Sequence, residues 1–61
     1  MADVDVAAYD LLSHLGRQCE AAMRVEWHAR DCGDLMTAAI GSEAAESASA
    51  LAFEIAEVLC G

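Results

Sequence analysis

The side chains able to do chemistry in this 61-residue chain are Cys19, Cys32, Cys60, His14, His28, three arginines and eleven carboxylates. His28 and Cys32 are four residues apart, so on a helix both could reach one metal ion. The rest of a zinc pattern is missing. There is no C-x2-C pair, Cys19 falls on the opposite side of its helix from His28, and His14 lies further away still. A site would need Cys60 or a second chain, so no metal is expected and both histidines read as surface residues. The odd cysteine count does not suit a disulfide framework, and MADVDV lacks the basic segment of a secretory signal. The thiols are therefore expected to be free, in a reducing cytosol, acting as small hydrophobes. Catalysis finds no support. No serine elbow, glycine-rich phosphate loop or Cys-His-Asp arrangement occurs. Glutamate pairs on exposed helices lack the pocket that would raise one carboxyl for acid–base work. A helical chain this short also lacks room for a ligand cleft of about 300 Å³. We expect a protein that is not an enzyme and binds no cofactor.

The carboxylates are the stronger signal. The formal net charge is −8, lysine is absent, and no basic residue follows Arg30. That balance argues against direct binding to nucleic acid or to an anionic membrane, both of which require cationic side chains. No run of about 18 apolar residues is present to span a bilayer. At 100° per residue, Glu43, Glu46, Glu54 and Glu57 share one arc of a helix. The stripe runs roughly 21 Å, at about 1.5 Å per residue. It reads either as a solvated face or as phosphate-like charge offered to a basic, nucleic-acid-binding protein surface. Phe53 stands at the border of this arc, as the rim of the core or as an aromatic anchor for a partner.

The elements that must position these groups are helical throughout. Alanine supplies 14 positions, proline none, and no alternating β-branched run or hairpin-turn pair occurs. The first helix is expected over about residues 4–31, capped by Asp3 or Asp5 and ended by Gly33. Ala8, Leu12, Leu15, Cys19, Ala22, Val25, Ala29 and Cys32 recur at spacings of three and four and form its seam. The seam stays in phase across Gly16, which argues for a helix running through it; a kink there is the alternative. Tyr9, Met23 and Trp27 lie on its flank. Glu26 interrupts the apolar arc, through fraying near the helix end, as a partner for Arg30, or as a polar register device at a self-association seam. Glu20 stands four before Arg24, the favoured order for an ion pair.

Asp34 is a second N-cap. Gly41-Ser42 reads as a stop followed by a start, giving helices at about 34–40 and 43–59; one continuous helix from Asp34 is the alternative. The last helix is expected to pack through Ala44, Ala48, Leu51, Ile55 and Val58 against Leu12, Leu15, Cys19 and Ala22. The expected fold is one all-α domain: an antiparallel helical hairpin or three-helix bundle, either closed as a monomer or paired as a homodimer. The long first helix has a wider apolar face than one short helix covers.

The whole-chain profile, small, acidic, lysine-free and without enzyme signatures, resembles that of phage-encoded anti-CRISPR proteins directed at type I systems. The features that carry the resemblance are this composition and the stripe Glu43, Glu46, Glu54, Glu57. The resemblance implies an inhibitor in the bacterial host cytoplasm that acts as a DNA mimic. Its partner would be a Cascade subunit that reads target DNA or its PAM. The rival expectations are an antitoxin-like or adaptor module docking through an apolar face, and a purely structural helical oligomer.

Overall fold

The computed structural model describes residues 2–61 as two helices, α1 (Ala2–Asp31) and α2 (Leu35–Cys60), packed side by side as a hairpin. Asp3 and Asp5 lie within the first turn of α1 rather than capping it. There they still face the positive end of the helix dipole. The helix passes through Gly16 without interruption. Thirty residues at about 1.5 Å each give roughly 45 Å, which matches the 47 Å long axis of the molecule.

Gly33 ends α1 as expected, at φ 79°. The Gly33 amide donates to the Arg30 carbonyl at 3.1 Å, and the Asp34 amide donates to Ala29 at 2.8 Å. These two bonds are the Schellman pair, which satisfies carbonyls left open at a helix C-terminus. The chain then starts α2 at once. Asp34 Oδ1 accepts from the Thr37 amide at 3.1 Å, and the Thr37 hydroxyl donates to Oδ2 at 2.7 Å. Those donors hold the Asp34 carboxyl below its ordinary range, the hydroxyl bond contributing most. One stop and one cap therefore turn the chain through about 180° in three residues.

The second stop does not exist. α2 is a single helix, so the separate helices at 34–40 and 43–59 merge and no three-helix bundle forms. Gly41 is buried in the middle of α2. A Cβ there would lie 2.9 Å from the Ala22 carbonyl oxygen and 2.9 Å from the Glu26 amide nitrogen. This glycine is present because two backbones nearly touch, not because a helix ends.

The same closeness sets the interface. The seam is formed on α1 by Ala8, Leu12, Leu15, Cys19, Ala22, Glu26 and Ala29 and on α2 by Ala38, Gly41, Ala45, Ala48, Ala52, Ile55 and Leu59, all buried or half-buried, with half-buried Thr37, Ser42 and Ala56 at its edge. Each set alternates spacings of three and four, the heptad pattern of a left-handed coiled coil. Most of these residues are small, and Leu15 is the one large side chain that reaches the buried class. Five expected seam residues are corrected here. Val25 on α1 and Cys32 in the turn after it are exposed, and Glu26 takes the seam position. On α2, Leu51 is 51% exposed and Val58 74% exposed. Ala44 is exposed too, so α2 is rotated from the expected face and keeps only Ala48 and Ile55 of it. A stripe of alanine and glycine lets the helix axes approach, and more atoms then meet across the contact than leucines would allow at a wider spacing.

Candidate functional site: an acidic face on the second helix

The seam orients everything else on α2. At 100° per residue, the arc that holds Glu43, Glu46, Glu54 and Glu57 is centred almost opposite Gly41, Ala48 and Ala52. The four side chains are exposed and point away from α1. The expected grouping therefore holds, although the face that was expected to pack is turned. Among the described residues, ion pairs form only within α1: Arg24 with Glu20 at 3.8 Å and Arg30 with Glu26 at 2.7 Å; His14 Nε2 also lies 3.6 Å from Asp10. All cations of the chain lie on α1, so its acids are partly compensated and the stripe on α2 is not. The four carboxylates stand as two pairs, about 4.5 Å of helix axis apart within each pair and about 12 Å between pairs, a mean of roughly 7 Å against about 3.4 Å for the phosphates along one DNA strand.

Phe53 stands beside Glu54 and Glu57 and is 71% exposed, so it is not part of the core. Its ring borders a shallow open groove with Leu12, Ser49, Ala52 and Ala56. An exposed aromatic at the edge of a charged face combines apolar area with a polar rim, as binding hot spots do. Tyr9, Met23 and Trp27 occupy the same side of the hairpin on α1, with Glu20 and Arg24 beside Met23 and Trp27.

The remaining chemistry-bearing residues do not converge. His28 and Cys32 share a shallow surface hollow with Asp34 near the turn. Both Asp34 oxygens are already engaged by Thr37. Cys60 is at the far end of α2, about 40 Å along the hairpin at 1.5 Å per residue. Among the described residues no three His, Cys, Asp or Glu side chains gather as metal ligands. Cys19 is half-buried in the seam, and its Sγ lies 3.7 Å from the Ala45 carbonyl oxygen, a structural contact. Glu26 takes the simpler of its two expected roles. Its carboxylate is tucked at the seam edge, with 16% of the side chain exposed, and is held by Arg30 of the next turn.

What the residue pattern did not reveal is the exposed aliphatic stripe on α2. The three- and four-residue spacing of larger apolar residues puts Leu51 and Val58 in the expected seam, yet they and Ile40 are exposed. The spacing Gly41, Ala45, Ala48, Ala52, small residues at three and four, was the signal for the true seam. No helix among the described residues is long and apolar enough to cross a membrane. A scan against protein-family models, a search of curated proteins and a search of solved structures each return no match for this chain.

Proposed function

We propose that this protein is a non-enzymatic inhibitor that occupies a basic, nucleic-acid-binding surface of another protein through the outer face of α2. The observation that carries the reading is the alignment of Glu43, Glu46, Glu54 and Glu57 on the face directed away from α1, with no cation on that helix. Summed potential from such a stripe steers association with a surface that ordinarily receives phosphates. Phe53, at the stripe's edge, adds an apolar anchor. The resemblance to phage-encoded anti-CRISPR proteins implies the target, the DNA- or PAM-reading subunit of a type I CRISPR Cascade, and with it the role of a DNA mimic in a bacterial cytoplasm.

The test is competition. Labelled duplex DNA bound to purified type I Cascade complexes is titrated with the protein, and its release is followed by fluorescence anisotropy. The parent should displace DNA. A variant with Glu43, Glu46, Glu54 and Glu57 all changed to Lys should not, while keeping its helicity, because Lys is nearly as good a helix former as Glu. Single reversals should act modestly and mainly on the association rate. Equal displacement by the folded fourfold variant would reduce the stripe to a solvated face. Absence of displacement by the parent would exclude this target.

A second reading rests on a different observation, the exposed Tyr9, Met23, Trp27 and Phe53 side of the hairpin. These residues suit an adaptor that docks on a partner's apolar groove. Salt separates the two: stripe-mediated binding should weaken steeply between about 50 and 200 mM salt, whereas binding through the aromatic side should hardly change.

A further inference from the structure

The two open sides of the hairpin are not alike. On one side α1 carries Val4, Leu11, Gln18 and Val25, each seven residues from the next. Beside them α2 carries Ala44, Leu51 and Val58, again seven apart, with Ile40 one turn before Ala44. All of these residues except Gln18 are apolar, and all are exposed. A sustained seven-residue apolar repeat is the mark of a helix-packing seam. Here it lies next to the seam already used, where the chain has no further helix to place. The corresponding repeat on the other side reads Tyr9, Gly16, Met23, Arg30 on α1 and Ser42, Ser49, Ala56 on α2, which is small and polar along its centre.

We propose that a second copy of this chain covers the aliphatic side, so that two hairpins stack face to face as a closed four-helix bundle. Size fits the proposal. The hairpin measures 47 × 15 Å across its broad face at the Cα atoms. That is about 700 Å² before side chains are added, close to the roughly 800 Å² per partner of a standard stable interface.

One charge contact favours a second copy on this side. A symmetric pair must be self-complementary. With a twofold axis parallel to the helices, α1 of one copy lies over α2 of the other. Within the hairpin Cys19 is level with Ala45, and Gly41 lies between Ala22 and Glu26. Carried across the pair, that register sets Arg17 level with Ser47 of the second copy, between its Glu43 and Glu54. Arg17 has no carboxylate within ion-pair range among the described residues, and its recorded partner is His14 Nδ1 at 3.2 Å. It therefore brings an uncompensated cation to the uncompensated acids. Asp10 comes level with Glu54 in the same stack, and His14 stands beside it at 3.6 Å. Each side brings one acid against another, Asp10 against Glu54 here and Glu20 against Glu46 on the opposite side, and like charges juxtaposed at an interface are costly. The Arg17 contact distinguishes the aliphatic side, because on the other side Arg24 is already paired with Glu20 at 3.8 Å.

The experiment is sedimentation equilibrium of the intact chain from a few to several hundred micromolar, with helicity followed by circular dichroism. The parent is expected at twice its 6.4 kDa chain mass. Leu51→Glu and, separately, Val58→Glu should weaken the pair about tenfold or more. Neither side chain is needed for the hairpin seam, so both variants should remain helical at high concentration. Phe53→Glu, on the opposite side, should leave the mass unchanged. Arg17→Glu should weaken the pair, and adding Glu43→Arg should restore it. A parent that stays at the single-chain mass throughout overturns the proposal, as does a mass of three or more chains. A dimer broken by Phe53→Glu and indifferent to both aliphatic variants also overturns it, by moving the interface to the aromatic side. The outcome does not depend on what the acidic stripe binds, because no partner protein is present in the cell.

Discussion

Two glycines of identical chemistry should respond with opposite signs to the same substitution. Gly16 lies within α1 on the exposed surface, and a Cβ there would meet nothing within 4 Å. Gly16→Ala should raise stability by about 0.5–1 kcal/mol, the ordinary gain of alanine over glycine in a helix interior. Gly41 gains the same propensity, but its Cβ would sit 2.9 Å from backbone atoms of Ala22 and Glu26, which cannot swing aside. Gly41→Ala should therefore destabilise by about 1–3 kcal/mol, the usual cost of forcing extra volume into a packed contact. Thermal melts at one fixed protein concentration compare the two. An increase for both variants would mean that the helices do not approach at Gly41 as closely as they do here.

At the scale of elements, the turn is the most completely specified part of the chain. Gly33 takes the left-handed conformation that ends α1, and Asp34 supplies the oxygen acceptors that begin α2. The cap gives a pH signature with a definite sign. The Asp34 carboxyl is held below its unfolded range by the Thr37 hydroxyl and amide. A depressed carboxyl contributes stability that is present above its unfolded pKa and lost as pH falls through the lowered folded value. Asp34→Ala should thus melt at a lower temperature than the parent near neutrality, and the gap should close on acidification through the carboxylate range. A gap that stays constant with pH would show that the cap works without its charge. The other carboxylates act in both proteins alike, so the difference between the two melts isolates Asp34.

For the whole molecule, the governing fact is how little large apolar surface the hairpin encloses. Among the described residues five apolar side chains are buried, and four of them are alanines. Leu11, Val25, Ile40, Leu51 and Val58 remain in contact with water on a single hairpin. If a second copy covers them, folding and association are one equilibrium, and the melting temperature must rise with protein concentration. Circular dichroism melts between about 5 and 500 μM should show that rise for the parent and a much weaker one for Leu51→Glu. A concentration-independent melt for the parent would identify the hairpin as a self-sufficient monomer. Pairing would also place the two acidic stripes on opposite edges of the bundle, with Arg17 of the other copy beside Glu43 and Glu54 and with Glu46 and Glu57 left open to a basic partner.

Residue type alone determined the helical character of this protein, the break at Gly33-Asp34 and the segregation of Glu43, Glu46, Glu54 and Glu57, because those follow from propensity, capping and helical period. The ion pairs Glu20–Arg24 and Glu26–Arg30 were legible for the same reason, being contacts between successive turns of one helix. Which face of α2 packs was decided only in the tertiary structure. Its alanine and glycine stripe and its Ile40, Leu51, Val58 stripe are neighbours, roughly 100° apart around the helix. Hydrophobicity favours the second stripe. The first wins because small residues let two backbones come within contact distance, and that gain exists only when the other helix is in place. Gly41 shows the ambiguity in one residue: along the chain it reads as a stop, and against α1 it is the point of closest approach. The same choice of face turned three expected core residues outward, and so created the surface on which the proposed pairing depends.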